Sequence, residues 1–154
     1  MRILFVCLGN ICRSPTAEAV LRHKLQEAGL DGRVEVDSAG TSDWHVGKQA
    51  DSRTRRAAQH RGYDMSALRG RQAVPEDFQR FDLILAMDKS NLSNLQQIQP
   101  HSAKAELDLF LRRYQMPLSE VPDPYYGGED GFEQVLDLIE QACDALVVEI
   151  KGRL

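Results

Sequence analysis

The chain has 154 residues, of which 42% are hydrophobic, and its formal net charge at pH 7 is −4. This length and composition favour one globular domain with a substantial core, which we expect to span residues 1–154. The acidic balance disfavours a nucleic-acid-binding protein. We see no apolar run long enough to span a bilayer and no secretory leader, so we expect a cytoplasmic protein without membrane insertion. The odd number of cysteines, three, fits a reducing compartment better than a disulfide framework.

The first element is a short apolar run, Ile3 to Val6, which is typical of a buried strand. Ser14 and Pro15 then predict the start of a helix, because serine is a preferred N-cap and proline is tolerated at the first helical position. Glu18 is expected to add negative charge to the first turn. The chain therefore passes from a strand to a helix through one short loop.

That loop is bracketed by Cys7 and Arg13 and contains Gly9 and Asn10, which both tolerate positive φ. Successive backbone N–H groups can then point to one centre beside a helix N-terminus, which makes a cradle for an anion. Cys7 should be a thiolate at neutral pH, because helix N-termini and neighbouring cations favour the ionised sulfur. Arg13 can hold two oxygens of a tetrahedral oxyanion, and the Ser14 hydroxyl can donate to the thiolate. This pattern suits attack of sulfur on phosphorus, although Cys7 as an ordinary buried cysteine is the plain alternative.

Further along, strands and helices alternate. We predict strands at 33–37, 82–87 and 105–109, and helices from Pro15 to Gly29 and over 50–61, 75–80, 88–97 and 132–150. Such alternation indicates an α/β sandwich. Ser38 to Ser42 should be a loop at the same sheet edge as Cys7, and therefore a neighbour of the anion cradle.

A second motif lies near residue 123. Pro122, Asp123 and Pro124, followed by Tyr125 and Tyr126, cannot continue a helix or a central strand and predict a rigidly shaped loop. For Asp-Pro alone, a turn with an exposed aspartate would be the simplest interpretation. Two adjacent tyrosines in such a loop are unusual unless they pack against something.

Together, the run from Cys7 to Pro15 and the Asp123 motif resemble the low-molecular-weight protein tyrosine phosphatase family. The resemblance implies a three-layer sandwich with a four-stranded parallel sheet of order 2-1-3-4 and helices on both faces. It also implies hydrolysis of protein phosphotyrosine through a phosphocysteine, with Cys7 as nucleophile and Asp123 as general acid. The phosphate would be bound by a loop of Leu8, Gly9, Asn10, Ile11, Cys12 and Arg13. We expect no metal or other cofactor, and tyrosine-phosphorylated proteins as partners of a monomer or weak dimer.

The resemblance assigns further roles. Trp44, Tyr125 and Tyr126 would form a wall for the substrate ring, although Trp44 would also fit a partly buried anchor. Asn10, Ser14 and Ser38 would support the loop, with Ser38 bracing Asn10. Related phosphatases often carry a histidine in that network where this chain has Leu68. Cys12 would capture an oxidised Cys7 as a reversible disulfide; simple filling of the inner side of the loop is the alternative.

Charge is distributed unevenly. From Lys48 to Arg71 there are seven basic and two acidic residues, whereas eight acidic and no basic residues lie between Asp123 and Glu149. The basic run is either a solvated face or a flank that steers acidic phosphopeptides towards the site.

A tyrosine phosphatase has three alternatives. An arsenate reductase would need a further cysteine pair after the third strand, and residues 80–100 contain no cysteine. Phosphoarginine phosphatases that resemble this family tend to have threonine at the position of Ile11. A non-enzymatic phosphoprotein-binding module would be expected to lack a catalytic group, whereas Cys7, Arg13 and Asp123 are all present.

Overall fold

The computed structural model describes residues 1–126 and 129–154, without the side chains of Tyr126 and Glu129. The strands are β1 (Arg2–Cys7), β2 (Glu35–Gly40), β3 (Leu83–Ala86) and β4 (Glu106–Leu109), and they form one parallel sheet of order β2-β1-β3-β4. The helices are α1 (Arg13–Glu27), α2 (Ser52–His60), α3 (Asp77–Arg80), α4 (Lys89–Ile98), α5 (Phe110–Arg113) and α6 (Glu129–Arg153). A 3₁₀ turn covers Pro124–Tyr126.

Both faces of the sheet are covered, which confirms the three-layer α/β sandwich and its strand order. Ile3 and Phe5 of β1 join the cluster that packs under α1 and α6, whereas Leu4 and Val6 join the opposite cluster. This alternation follows from the two-residue period of a strand, and because both faces are buried, the strand is an uninterrupted apolar run. Within residues 1–126 and 129–154, no helix combines the length and the apolarity needed to cross a bilayer.

Two predicted boundaries near the site are wrong. Ser38 to Gly40 belong to β2 and not to a loop, because Ser38 pairs with Phe5 and Gly40 with Cys7 across the parallel ladder. The helix α1 begins at Arg13, with Cys12 at the N-cap and no side-chain cap. Ser14 is therefore not the N-cap; its hydroxyl is used elsewhere, by the thiol of Cys7. The short third helix also starts later than predicted, at Asp77 instead of Pro75.

The helix α6 is tied to α5 by an ion-pair cluster around Glu149. Arg113 donates from Nε and Nη2 to the two carboxylate oxygens of Glu149, at 3.0 and 2.9 Å, and the Tyr114 hydroxyl donates at 2.9 Å. These hydrogen bonds, foremost those from Arg113, outweigh the effect of burial and lower the pKa of Glu149 to about 2. The carboxylate is thus favoured in the folded state.

We predict that Glu149→Gln lowers the free energy of unfolding at pH 7 by about 2 kcal/mol, since charge-assisted hydrogen bonds are lost. A depressed folded-state pKa gives stability that is complete above the ordinary value of 4.5 and is lost as the pH falls towards about 2. Urea unfolding at pH 7, 4 and 3 measures this. The difference in free energy of unfolding between wild type and Glu149→Gln should become smaller as the pH falls. Glu27→Gln, at an exposed position of α1, is the control and should change the free energy of unfolding little. A difference that does not change with pH would contradict the lowered pKa of Glu149 in the folded state.

Candidate active site

Cys7 lies at the carboxyl end of β1, at the floor of a cleft, with 2% of its surface exposed. Its Sγ is 3.0 Å from the Ser14 hydroxyl, and either group can donate in that contact. The backbone N–H of Asn10 donates to the same sulfur at 3.3 Å. A hydroxyl and an amide N–H therefore converge on one sulfur.

Asn10 holds the loop in shape. Its φ is +57°, in the left-handed region that asparagine tolerates. The side-chain Nδ2 donates to the Ser14 hydroxyl at 2.8 Å, and Oδ1 accepts from the backbone N–H of Arg71 at 3.0 Å. The structure thus brings together Asn10 and Ser14 as predicted, and adds Arg71 as a third partner.

Ser38 does not brace Asn10 in the described contacts. Its hydroxyl donates to Glu18 at 2.7 Å, below the loop and between β2 and α1. Glu18 is buried, and burial raises the pKa of its carboxyl against the opposing hydrogen bond from Ser38 and the charge of Arg22. Glu18 is therefore a buried partner of Ser38, and not the first-turn charge that we expected. Leu68, in place of the histidine of related proteins, packs against the hydrophobic core.

Arg13 is a buried cation whose side chain is only 3% exposed. Nη1 donates to Asp88 at 2.7 Å and to the Val121 carbonyl at 3.1 Å, and Nη2 lies 3.6 Å from Asp123. Burial opposes the charge, but the Cys7 sulfur and the Asp88 carboxylate outweigh it and raise the pKa of Arg13. A guanidinium held in this way is fixed in orientation and faces the cleft.

The second motif meets the first at this arginine. Its beginning is anchored directly after β3, because the Val121 N–H donates to the Met87 carbonyl at 2.8 Å. Asp123 then lines the cleft beside Cys7, and its Oδ1 accepts from the backbone N–H of Tyr125 at 3.0 Å. Two loops more than a hundred residues apart therefore supply one site.

The cleft has a volume of about 220 Å³. Among the residues that the structure describes, ten line it: Cys7, Leu8, Gly9, Ile11, Cys12, Arg13, Trp44, His45, Asp123 and Tyr125. Trp44 and Tyr125 are 64% and 40% exposed and stand at its mouth, which disfavours the buried-anchor interpretation of Trp44. The predicted wall residue Tyr126 lies outside the described side chains.

The two cysteines of the loop differ in environment. Cys12 is 5% exposed, and burial raises the pKa of its thiol to about 12. Cys12 is therefore a protonated thiol at neutral pH. Cys143 is fully buried in the core, as expected.

Most basic side chains of the run from Lys48 to Arg71 form hydrogen bonds or ion pairs with other residues of this chain. Five of its seven members donate to carboxylates or carbonyls of this chain: Arg53, Arg55, Arg61, Arg69 and Arg71. Carboxylates neutralise Arg53, Arg61 and Arg71, whereas hydrogen bonds to neutral carbonyls leave the charges of Arg55 and Arg69 uncompensated, so the steering flank stays a prediction.

Four residues contribute to the active site although the sequence did not predict them as site residues: Asp88, Arg71, Gly40 and His45. The sequence predicted Asp88 only as the start of the helix over 88–97, and it is the N-cap of α4, because Oδ1 accepts from the Asn91 N–H. Its second oxygen binds Arg13, and nothing in the local sequence signals that bond. Gly40 ends β2 and lies within the segment 38–42 that was expected as a loop beside the cradle, so its position was a usable signal.

The chain belongs to the low molecular weight phosphotyrosine protein phosphatase family, a family of hydrolases, since that family's profile matches residues 2–153. A low molecular weight protein-tyrosine-phosphatase of Streptomyces coelicolor is 43% identical over 157 residues, covering 99% of this chain and 95% of the relative. A protein tyrosine phosphatase from Entamoeba histolytica, solved with Hepes in its active site, is 44% identical with a TM-score of 0.93, over 100% and 99% of the two chains. A Drosophila arginine phosphatase is 33% identical with a TM-score of 0.91, covering 98% of each. The resemblance stated from the two motifs is thereby confirmed.

We predict that Gly40→Ala reduces kcat/KM for an aryl phosphate by about a hundredfold, because displacement of catalytic groups by about 1 Å has that effect. A Cβ at Gly40 would lie 2.8 Å from the Leu8 carbonyl oxygen and 3.2 Å from the Asn10 nitrogen, so the phosphate loop must move. Steady-state kinetics measures the loss. Gly32→Ala is the control, since a Cβ there meets no atom within 4 Å. Unchanged activity of the Gly40 variant would show that the loop tolerates the shift.

Proposed function

We propose that the protein hydrolyses phosphotyrosine in proteins through a phosphocysteine intermediate. The observation that carries this proposal is the convergence of Cys7, Arg13 and Asp123 on one cleft whose mouth is aromatic. Cys7 lies at the floor and Trp44 at the rim, so a phosphate must reach down from the substrate backbone. Phosphotyrosine carries its phosphorus farther from the backbone than phosphoserine does, and its ring can contact Trp44 and Tyr125.

In the first step, the Cys7 sulfur attacks phosphorus, the sulfur–phosphorus bond forms, and the bond to the phenol oxygen breaks. Arg13 and the loop N–H groups stabilise the charge on the equatorial oxygens. Asp123, protonated in the complex, transfers its proton to the departing phenolate.

In the second step, a water loses a proton to Asp123 and attacks phosphorus. The sulfur–phosphorus bond breaks, phosphate leaves, and the thiolate is restored beside Ser14 and the Asn10 N–H. Asp123 thus reverses its role, as microscopic reversibility requires.

Two alternatives are tested together with this proposal. The similarity to an arginine phosphatase favours phosphoarginine as a second candidate substrate, whereas Ile11 in the loop favours an aryl phosphate. The absence of a cysteine from residues 80–100 argues against an arsenate reductase. The cytoplasmic location, the phosphoprotein partners and the monomer or weak dimer expected from the sequence stay predictions.

We expect Cys7→Ser to lose at least about a thousandfold in kcat, because the nucleophile is removed. The variant should still bind inorganic phosphate in a calorimeter, because Arg13 and the loop amides remain. Peptides with phosphotyrosine, phosphoserine and phosphoarginine, assayed with wild type and variant, decide the substrate class.

Asp123→Ala should lower kcat/KM for phosphotyrosine by about 10²–10⁴-fold, and for 2,4-dinitrophenyl phosphate much less.

Substantial turnover by Cys7→Ser would refute the phosphocysteine mechanism. A higher kcat/KM for phosphoarginine than for phosphotyrosine would favour the arginine phosphatase instead.

We also propose that Cys12 protects Cys7 from irreversible oxidation. Hydrogen peroxide oxidises the Cys7 thiolate to a sulfenic acid; the Cys12 sulfur then attacks that sulfur, and water leaves as the disulfide forms. Both sulfurs line the same cleft, and both cysteines are free in the structure.

After peroxide treatment, dithiothreitol should restore most of the wild-type activity, and mass spectrometry should find a Cys7–Cys12 disulfide. In Cys12→Ala the loss should become permanent, because the sulfenic acid proceeds to the sulfinic acid. Cys143→Ala is the control and should recover like wild type. Equal recovery of Cys12→Ala would contradict a protective role.

A further inference from the structure

Arg53 lies near the start of α2 and reaches the loop that carries Asp123. Its Nη2 donates to the Tyr125 carbonyl at 3.1 Å. The guanidinium carbon lies 5.4 Å from the centre of the Tyr125 ring and 4.9 Å from the centre of the Phe132 ring, within range of cation–π attraction. Arg53 thus contacts both the backbone and the ring of the residue two positions after Asp123.

The other side of Arg53 is fixed by Asp51. Nε and Nη2 donate to the two carboxylate oxygens of Asp51, both at 3.1 Å. Asp51 also caps α2, because its Oδ1 accepts from the Arg53 N–H at 2.9 Å. Burial alone would raise the pKa of Asp51, but the hydrogen bonds from Arg53 outweigh it and lower the pKa, so the carboxylate stays charged at neutral pH.

Asp51 is in turn attached to the phosphate loop. Its backbone N–H donates to the Ile11 carbonyl at 2.9 Å, inside the loop that Cys7 and Arg13 bracket. At the far end, the Tyr125 N–H donates to Asp123 Oδ1 at 3.0 Å. One chain of hydrogen bonds therefore runs from the phosphate loop through Asp51 and Arg53 to the carboxyl group of Asp123.

We propose that Arg53 is a positioning residue for the general acid, which it holds at a fixed place relative to the phosphate loop through Asp51 and Tyr125. The inference rests on the proposed phosphatase function. Arg53 does not line the cleft and acts through Asp123. A bidentate, planar guanidinium suits this role, because it binds the Asp51 carboxylate and the Tyr125 carbonyl at once; an ammonium group has no such fork.

The proposal makes a specific prediction about leaving groups. A displaced general acid slows only those substrates whose leaving group needs a proton, so the effect of Arg53→Ala should grow with the pKa of the leaving phenol. We expect about a tenfold or greater loss in kcat/KM for phenyl phosphate and less than about twofold for 2,4-dinitrophenyl phosphate. The inhibition constant of inorganic phosphate should be unchanged, because Arg13 and the loop amides are intact.

The experiment measures kcat/KM for a series of aryl phosphates with wild type, Arg53→Ala, Arg53→Lys and Arg56→Ala, together with melting temperatures. Arg56 is the matched control, an exposed arginine on the same helix. The slope of log kcat/KM against the pKa of the leaving group should be steeper for Arg53→Ala than for wild type. Arg53→Lys should give a slope between those two, and Arg56→Ala should give the wild-type slope. In an Asp123→Ala background, Arg53→Ala should cause no further loss, because the two changes act through the same proton transfer.

A uniform loss across all leaving groups, or additive losses in the double variant, would overturn the positioning role and leave Arg53 as a structural residue. Failure of the wild type to hydrolyse any aryl phosphate would instead refute the proposed function itself.

Discussion

The conformation of Asn10 is the constraint on which the site depends. A non-glycine residue at φ +57° needs compensation, and here the compensation is complete, because its N–H donates to Cys7, its Nδ2 to Ser14, and its Oδ1 accepts from Arg71. One residue thereby fixes the curvature of the loop, the position of the hydroxyl beside the sulfur, and the attachment of the loop to a distant segment.

The buried charge of Arg13 imposes a second constraint. A guanidinium at 3% exposure is tolerable only with partners, and it finds Asp88 and the Val121 carbonyl. Asp88 serves two purposes, because one oxygen caps α4 and the other holds Arg13. Asp88 therefore contributes both to the stability of α4 and to the geometry of the active site. Val121 in turn starts the loop of Asp123, so the cation that faces the phosphate also helps to place the acid.

Charge complementarity assembles the two halves of the molecule. The mid-chain basic residues and the late acidic residues look like separate surface faces in the sequence, yet they meet in the fold. Arg61, directly after α2, pairs with Glu133, Asp137 and Glu140 of α6, and Lys24 of α1 pairs with Asp144. Arg61 and Lys24 thus compensate part of the acidic face of α6.

The local sequence was enough to predict the strand–loop–helix at Cys7 and the alternation of strands and helices, because these depend on periodicity and short-range hydrogen bonds. The family resemblance correctly supplied the strand order. Only the tertiary structure decided where polar side chains go when several partners compete. Ser14 could have capped its helix but bonds to the Cys7 sulfur, and Ser38 pairs with buried Glu18 and leaves Asn10 to Arg71. Local sequence fixes which groups a residue offers, whereas packing fixes which distant group is near enough to accept them.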